Sequence, residues 1–408
     1  MIPFMKIGLK TAGLALIPSS LVFLIATWAT ITDSWHWLQV YHAFGATYAD
    51  LRQVTATADC ILSDASWSIA SATCDPFGRG YNYPSLWARG FAVLGLGEAQ
   101  TEAVAVAMVI VFALVVFVVS LLSTYLVRPF VPIVSVTTAA VAPPTWLALE
   151  RGNIDVFVFA AVVAGALLSL LHKSGLSAIL FAIASVLKIY PLGAVLVLLR
   201  DRRRHPWSVG IFLALTTVGF ALIVRELLLI SERTPQPIAS AFGAPVLLKT
   251  GWLRMDLPAG SLIPQLLGAL IFVGVLLLLM GLAARIKGIS ESVATAVQAI
   301  SRDRISTTLV LSGGGPLILS YILSANFDYR LIFAIPLVAG LARVAVQEIN
   351  VIRVLLLALV IQLWLTYVTP ILVQRLSDLL WMVLAPCVAF LLVRIMGTNL
   401  RAEAKSAG

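Results

Sequence analysis

The hydrophobic positions of this 408-residue chain gather into long unbroken runs, not into alternating or amphipathic periods. About 20 apolar residues suffice for a helix to cross a bilayer. Runs of that order lie at about 11–31, 103–127, 130–148, 155–171, 207–229, 263–284, 307–324, 331–347, 352–373 and 379–397. One further run, Leu176 to Leu199, is interrupted by Lys188 and then by Pro191. A lone ammonium at membrane depth costs at least about 2–3 kcal/mol, and so marks a paired, wetted or functional group. The proline removes a backbone donor and breaks or kinks the helix beside it. Basic residues bracket this run on both sides, His172 and Lys173 before it and Arg200, Arg202, Arg203 and Arg204 after it. Positive flanks face the cytoplasm, so the run predicts a hairpin of two short helices with Lys188 at its tip. Counted so, the chain is an all-α polytopic membrane protein of about 12 transmembrane helices with both termini cytoplasmic.

The charges along the chain fit this topology. Arg128, Lys173, the Arg200–Arg204 cluster, Arg285, Lys287, Arg302, Arg304, Arg353, Arg394 and Lys405 all fall on the cytoplasmic side. A single crossing at Lys188 would move every later basic cluster outside, against the positive-inside rule. The whole chain, 1–408, then reads as one integral-membrane domain with a large outer loop at 32–101, a second at 230–262 and a cytoplasmic connector at 285–306. The first loop carries Trp35, Trp37, Trp67 and Trp87, an aromatic density that suits interfacial helices along the outer leaflet. Gly313-Gly314-Gly315, inside a span, points to close helix packing or a local break.

Composition agrees: 60% of residues are hydrophobic and 12% charged, against roughly 25% charged in a soluble domain. The net charge of +9 sits at the ends of apolar runs, where orientation signals belong, so nucleic acid is not an expected partner. Lys6 and Lys10 precede the first run without a clear small-residue cleavage site, so that run is expected to be retained as a helix. Cys60 and Cys74 share the first outer loop, where an oxidising compartment allows a disulfide; the alternative is two free thiols. Cys387 lies in an apolar run.

Candidate chemistry concentrates in the first outer loop. A carboxylate at the outer boundary can take a proton from an incoming hydroxyl within hydrogen-bond reach. Asp50 is such a group, in Asp50-Leu51-Arg52-Gln53-Val54, and Asp33, just after the first run, is its rival. Asp59, Asp64 and Asp75 are weaker candidates; each of these acids could equally be a solvated or capping residue. Arg151, Lys188 and Arg330 would all reach the outer face, where forked and point cations could hold a lipid phosphate. The arginines have alternatives, Arg151 with Glu150 or Asp155 and Arg330 with Asp328. Lys188 has no acid near it in sequence. The chain has no phosphate-binding GxxxxGK[ST] loop, no HExxH, no CxxC, no GxSxG and no Asp-x-Asp pair, so no metal or other cofactor is implied.

With these residues noted, the first half of the chain, roughly 11–205, resembles the integral-membrane glycosyltransferases of the C superfamily (GT-C fold). The branch it looks like uses polyprenyl-phosphate-mannose and includes bacterial phosphatidylinositol-mannoside mannosyltransferases. Three motifs carry the likeness: Asp50-Leu51-Arg52-Gln53-Val54 followed by Asn82-Tyr83-Pro84, the Gly152-Asn153 turn opening a helix, and Lys188-Ile189-Tyr190-Pro191 between two short helices. Thr55 stands where the family often has Tyr, and Arg-Gly-Asn replaces a Gly-Gln turn. The Cys60/Cys74 segment and the Gly-Arg-Gly-Tyr-Asn run have no counterpart in the pattern.

The resemblance implies a bundle with a long first outer loop and a polyprenyl-phosphate-linked sugar donor. It also implies an inverting displacement outside the membrane, with a glycolipid or glycan as acceptor. Carried over by motif, Asp50 is the base, and Lys188, Arg151, Arg330, Asn153, Tyr83, Asn82 and Asp328 are the donor-side residues. The sugar would be mannose or another hexose or pentose, and the location a bacterial inner or plasma membrane with the site facing the periplasm or exterior. Two other readings stay open: a transporter or flippase of lipid-linked sugars, since buried charges also mark pathways, and a polysaccharide polymerase or ligase. The acid-bearing outer loop favours an enzyme.

Overall fold

The computed structural model describes residues 9–35, 47–64, 67, 74–202, 204–233, 241–249, 263–323, 326–347, 349–366 and 371–405. The chain is helical almost throughout. In order, the helices are α1 (Leu9–Ile31), α2 (Ala49–Ser63), α3 (Ser85–Val93), α4 (Thr101–Thr124), α5 (Phe130–Ala140), α6 (Pro143–Glu150), α7 (Asp155–Leu170), α8 (Ser174–Leu187) and α9 (Val195–Arg200). There follow α10 (Pro206–Arg233), α11 (Val246–Lys249), α12 (Ile263–Arg285), α13 (Lys287–Arg302), α14 (Arg304–Leu323), α15 (Ala334–Ala345), α16 (Asn350–Leu365) and α17 (Ile371–Lys405). Single turns of 3-10 helix precede α4, α9 and α15, at Glu98–Gln100, Tyr190–Ala194 and Asp328–Phe333. Two short strands, β1 (Ala241–Phe242) and β2 (Asn326–Phe327), pair antiparallel.

Each of the twelve expected apolar segments is helical over most of its described residues, but the helices differ in length. Among the described residues six are long and apolar enough to cross a membrane: Leu9–Ile31, Glu98–Thr124, Pro206–Ile230, Ile263–Arg285, Arg304–Leu323 and Arg375–Thr398. A seventh span is the pair α5 and α6, bent by 47°; Pro143 and Pro144 open α6 and remove the backbone donors that would continue α5. α7, α8, α16 and the Tyr190–Arg200 segment are shorter apolar helices. α10 and α12 expose leucines along much of their length, including Leu222, Leu228, Leu266, Leu270, Leu277 and Leu278, as lipid-facing helices do.

The Lys188 segment is the expected hairpin. At its base Arg304, at the start of α14, donates to Ser169 O (2.9 Å), to Asp201 Oδ2 (2.9 Å) and contacts His172 Nε2 (2.8 Å). The turns before α8 and after α9 therefore lie together at one end of the bundle. Nearby, Arg343 of α15 pairs with Asp303 and reaches the carbonyls of Leu122 and Tyr125 at the end of α4. Lys188, at the tip, lies at the other end against Asp155 at the start of α7. The connector expected at 285–306 contains the amphipathic helix α13, whose Ala296, Val297 and Ile300 are buried.

The hairpin is wedged against α14 through glycine. A Cβ on Gly193 would lie 2.2 Å from the carbonyl carbon of Gly315, and one on Gly315 equally close to the oxygen of Gly193. Gly313 meets the backbone of Leu337 and Phe333 in the same way. The glycine run is thus a packing surface, allowing backbones to approach as small residues do in membrane bundles.

In the first outer loop the described aromatics are partnered within the protein. Trp35 and Trp67 are buried, with their rings edge-on to Tyr48 (6.4 Å) and Tyr81 (5.8 Å). Trp87 stacks on Phe157 of α7 (6.2 Å). Each of these three tryptophans packs against another aromatic ring of the protein. Trp37 and residues 234–240 and 250–262 of the second loop lie outside the described residues. Cys60, near the end of α2, is disulfide-bonded to Cys74, with Cα atoms 6.1 Å apart.

Overpacking a tight site costs about 1–3 kcal/mol or more when the neighbour is backbone. Gly193→Ala and Gly315→Ala should each lower the thermal stability of the detergent-solubilised chain by at least that amount. Gly210→Ala, which meets nothing within 4 Å, should leave it unchanged or slightly raised; equal melting of all three would contradict the wedge.

Candidate active site

The site begins with a turn that cannot be built from any other residue. After α6 the chain reverses at Gly152, whose φ is +57° and whose Cβ would stand 2.7 Å from the Cβ of Leu51. Only glycine takes that left-handed conformation without cost and leaves room for the neighbouring helix. The turn presents its carbonyls to the start of α2. Tyr48 N–H donates to Glu150 O (2.7 Å), and Asp50 N–H and Leu51 N–H both donate to Arg151 O (3.0 and 3.3 Å). The first amides of a helix have no partner within it; here the α6–α7 turn supplies one.

This docking brings Asp50, buried in the first turn of α2, against two side chains of the turn. Arg151 closes its fork on the carboxylate, Nε to Oδ2 at 3.0 Å and Nη2 to Oδ1. Asn153 Nδ2 donates to Oδ2 at 2.7 Å, while its own Oδ1 accepts Asp155 N–H (2.9 Å) and so caps α7. Burial by itself would raise the Asp50 pKa, but the Arg151 charge and hydrogen bonds, with Asn153 and Arg79, outweigh it and hold the carboxyl below its ordinary value. Asp50 is therefore ionised at neutral pH. It is an acceptor ready for a hydroxyl.

Arg79 closes the more open side. Its side chain is 30% exposed, and it reaches Asp75 Oδ2 (2.6 Å), Ala49 O (2.7 Å) and, loosely, Asp50 Oδ1 (3.5 Å). Asp75 also accepts the backbone N–H groups of Phe77 and Arg79, and the bridged Cys74 immediately precedes it. The disulfide thus anchors the turn that aims Arg79.

A second charge group adjoins the first. Asp155, wholly buried, stands between Lys188 (Oδ1 to Nζ, 3.3 Å) and Arg330 (Oδ2 to Nε, 3.5 Å). Lys188 Nζ also lies 4.4 Å from the centre of the Tyr83 ring, and the Arg330 guanidinium 5.0 Å from that of Tyr190, both within cation–π range. Tyr83 links the two groups, since its hydroxyl is 3.5 Å from Asn153 Nδ2. Glu226 of α10 secures the loop beyond, accepting from Ser85 N–H (2.8 Å) and Oγ (2.6 Å) at the start of α3.

Six of the residues expected from sequence therefore meet: Asp50, Arg151, Asn153, Tyr83, Lys188 and Arg330. Arg151, expected beside the phosphate cations, closes its fork on Asp50. Asn82 adjoins Tyr83, with a buried Oδ1 that has no hydrogen-bond partner among the described residues. Asp328 is buried but makes no hydrogen bond or ion pair with this group among the described residues. Arg330 pairs with Asp155 and not with its sequence neighbour Asp328. Asp33 is exposed after α1 and makes no hydrogen bond or ion pair with this group among the described residues. Asp59 caps the segment before α4 by accepting Glu98 N–H (2.8 Å). Asp155 and Arg79 were not singled out from sequence as site residues. Asp155 had a signal, an acid opening an apolar helix, but it read as an Arg151 partner; Arg79 had only the unassigned Gly-Arg-Gly run. Among the described residues no group of three or more His, Cys, Asp or Glu could hold a metal.

A helical bundle with charged residues buried at one end, under a folded outer loop, defines a multi-pass membrane protein with a built polar site. The chain belongs to glycosyltransferase family 87, whose model matches residues 81–301, more than half of the 408. The match includes Tyr83, Arg151, Asn153, Asp155 and Lys188, while Asp50 and Arg330 lie outside it. No curated protein matches the sequence. Two solved structures of ArnT from Cupriavidus metallidurans are similar, each with a TM-score of 0.39. The one bound to undecaprenyl phosphate is 14% identical and covers 93% of this chain and 76% of its own; the apo form is 16% identical and covers 92% and 76%.

Breaking a buried ion pair by removing one partner costs about 3–5 kcal/mol, because the other charge is left uncompensated. Arg151→Met should destabilise the chain by about that amount in thermal unfolding. Adding Asp50→Asn should recover a substantial part of the loss; strictly additive losses would mean the pair is not coupled as described.

Proposed function

We propose that this family 87 chain is an inverting glycosyltransferase that moves a sugar from a polyprenyl-phosphate-linked donor to a lipid or glycan acceptor at the outer face of the membrane. The observation that carries the reading is the adjacency of an ionised, fixed carboxylate, Asp50, to two cations, Lys188 and Arg330, with Tyr83 between them. A base on one side and cations on the other are what a single displacement at an anomeric carbon requires.

The arrangement divides the labour. Asp50 accepts the proton of the acceptor hydroxyl as its oxygen attacks the anomeric carbon. The Oδ2 of Asp50 already receives both Arg151 and Asn153, whereas Oδ1 has one firm donor and the long Arg79 contact, so the hydroxyl approaches on the Oδ1 side. The bond from the anomeric carbon to the phosphate oxygen breaks through an oxocarbenium-like state, its electron pair passing to the phosphate. Lys188 and Arg330 meet the charge that grows there, and the configuration inverts. Asn153 and Arg151 hold the base; Tyr83 spans the distance to the phosphate side and offers a ring against which a sugar can pack. A leaving phosphate needs no metal in this scheme. By the charge distribution along the sequence, the site faces the periplasm or exterior of a bacterial plasma membrane and the termini face the cytoplasm. Mannose is the sugar favoured by resemblance.

Asp50→Asn should lower sugar transfer from a polyprenyl-phosphate sugar in proteoliposomes by at least about 100-fold, the contribution expected of a general base. Binding of the donor lipid should be kept. Lys188→Gln and Arg330→Gln should instead weaken binding of the donor lipid and slow the chemical step together. Wild-type turnover by Asp50→Asn would refute the assignment of the base. Movement of the lipid-linked sugar across sealed vesicles with no new glycosidic bond would replace the enzyme with a transporter.

A further inference from the structure

The two carboxylates of the site are held in different ways. Asp50 is held by hydrogen bonds from a closed guanidinium fork and an amide. Asp155 is wholly buried, and no well-aligned hydrogen bond reaches its oxygens among the described residues, although Lys188, Arg330 and the Tyr190 hydroxyl all face it. Its contacts with Lys188 and Arg330, at 3.3 and 3.5 Å, are those of charge to charge. Nor does its side chain cap α7, because Asn153 Oδ1 already accepts its N–H. A buried carboxylate without well-aligned hydrogen bonds is costly to maintain. Its remaining effect is on the charge of the site: two cations and one anion leave a single net positive charge.

We propose that Asp155 is a specificity-determining residue, an internal counter-charge that matches the Lys188/Arg330 site to a singly charged phosphodiester and disfavours more highly charged phosphates. The inference rests on the donor reading above and deepens it. A sugar linked through one phosphate presents one negative charge, which the site balances. Transfer releases a phosphate monoester, whose second ionisation near pH 6 makes it close to doubly charged at pH 8. That second charge has no counter-charge left to meet and is repelled by Asp155, so the product leaves. A diphosphate-linked lipid is disfavoured for the same reason. An alternative, bland role is that of a negative group at the start of α7, favourable to the helix dipole; it would affect melting and not the choice of ligand.

The test is binding of undecaprenyl phosphate and undecaprenyl diphosphate at pH 8 to the full chain in nanodiscs, for wild type, Asp155→Asn and Asp155→Glu. Asp155→Asn should bind undecaprenyl phosphate about tenfold more tightly than wild type, with a larger gain for the diphosphate, and Asp155→Glu should stay near wild type. Unchanged or weaker binding of undecaprenyl phosphate by an Asp155→Asn protein that melts normally would overturn the inference, since an orienting or purely structural residue gives that result. Wild type alone provides a second measurement that needs no variant. It should bind the diphosphate no more tightly than the monophosphate, and a tenfold preference for the diphosphate would overturn the inference while leaving the polyprenyl-phosphate reading standing. A wild-type chain that binds neither lipid would instead overturn that reading, and this inference with it.

Discussion

The Asp50–Arg151 pair is the constraint on which the rest of the site depends. A carboxylate buried where the bundle meets its outer loop is unfavourable unless cations and amides reach it, and Arg151 and Asn153 reach it only because the α6–α7 turn docks on the first turn of α2. That docking needs Gly152, and it needs α2 to begin with unsatisfied amides pointing at the turn. From the same turn α7 starts at Asp155, which sets the position of the second charge group. One local reversal of the chain therefore fixes a buried carboxylate, its partners and the acid of the second charge group within a few residues.

The second requirement is that the hairpin tip reach this turn. α8 has 14 residues, about 21 Å at 1.5 Å per residue, shorter than the roughly 30 Å hydrocarbon core. A short hairpin carries its lysine to the site because α7 is short as well and the loop folds down to meet both. Gly193 and Gly315 press the hairpin onto α14, and Arg304 ties its base to the far end of the bundle. Lys188 is thus carried by backbone packing of the hairpin and lies against Asp155 at its tip.

Much of this was legible in the sequence, and for physical reasons. Apolar runs and their basic flanks set the helices and the hairpin, because membrane solvation acts on each segment separately. Asp50, Asn153, Tyr83 and Lys188 could be read from short local motifs. The disulfide could be anticipated because both cysteines shared one loop. What could not be read were pairings between distant residues. Arg330 lies 175 residues from Asp155, and its sequence neighbour Asp328 looked the better partner, yet in the 3-10 turn that holds both it is Asp155 that Arg330 meets. Arg79 was hidden because its role depends on Asp75, the bridge at Cys74 and the start of α2 all at once.

The most direct test is a structure of the chain with a polyprenyl-phosphate-sugar analogue bound in a lipid nanodisc. The account predicts phosphate oxygens within about 3 Å of Lys188 Nζ and the Arg330 guanidinium. It also predicts Asp50 on the face of the anomeric carbon opposite the phosphate, with Arg151 still closed on Asp50. A phosphate bound at Arg151, or an anomeric carbon out of reach of Asp50 and facing another carboxylate, would contradict it.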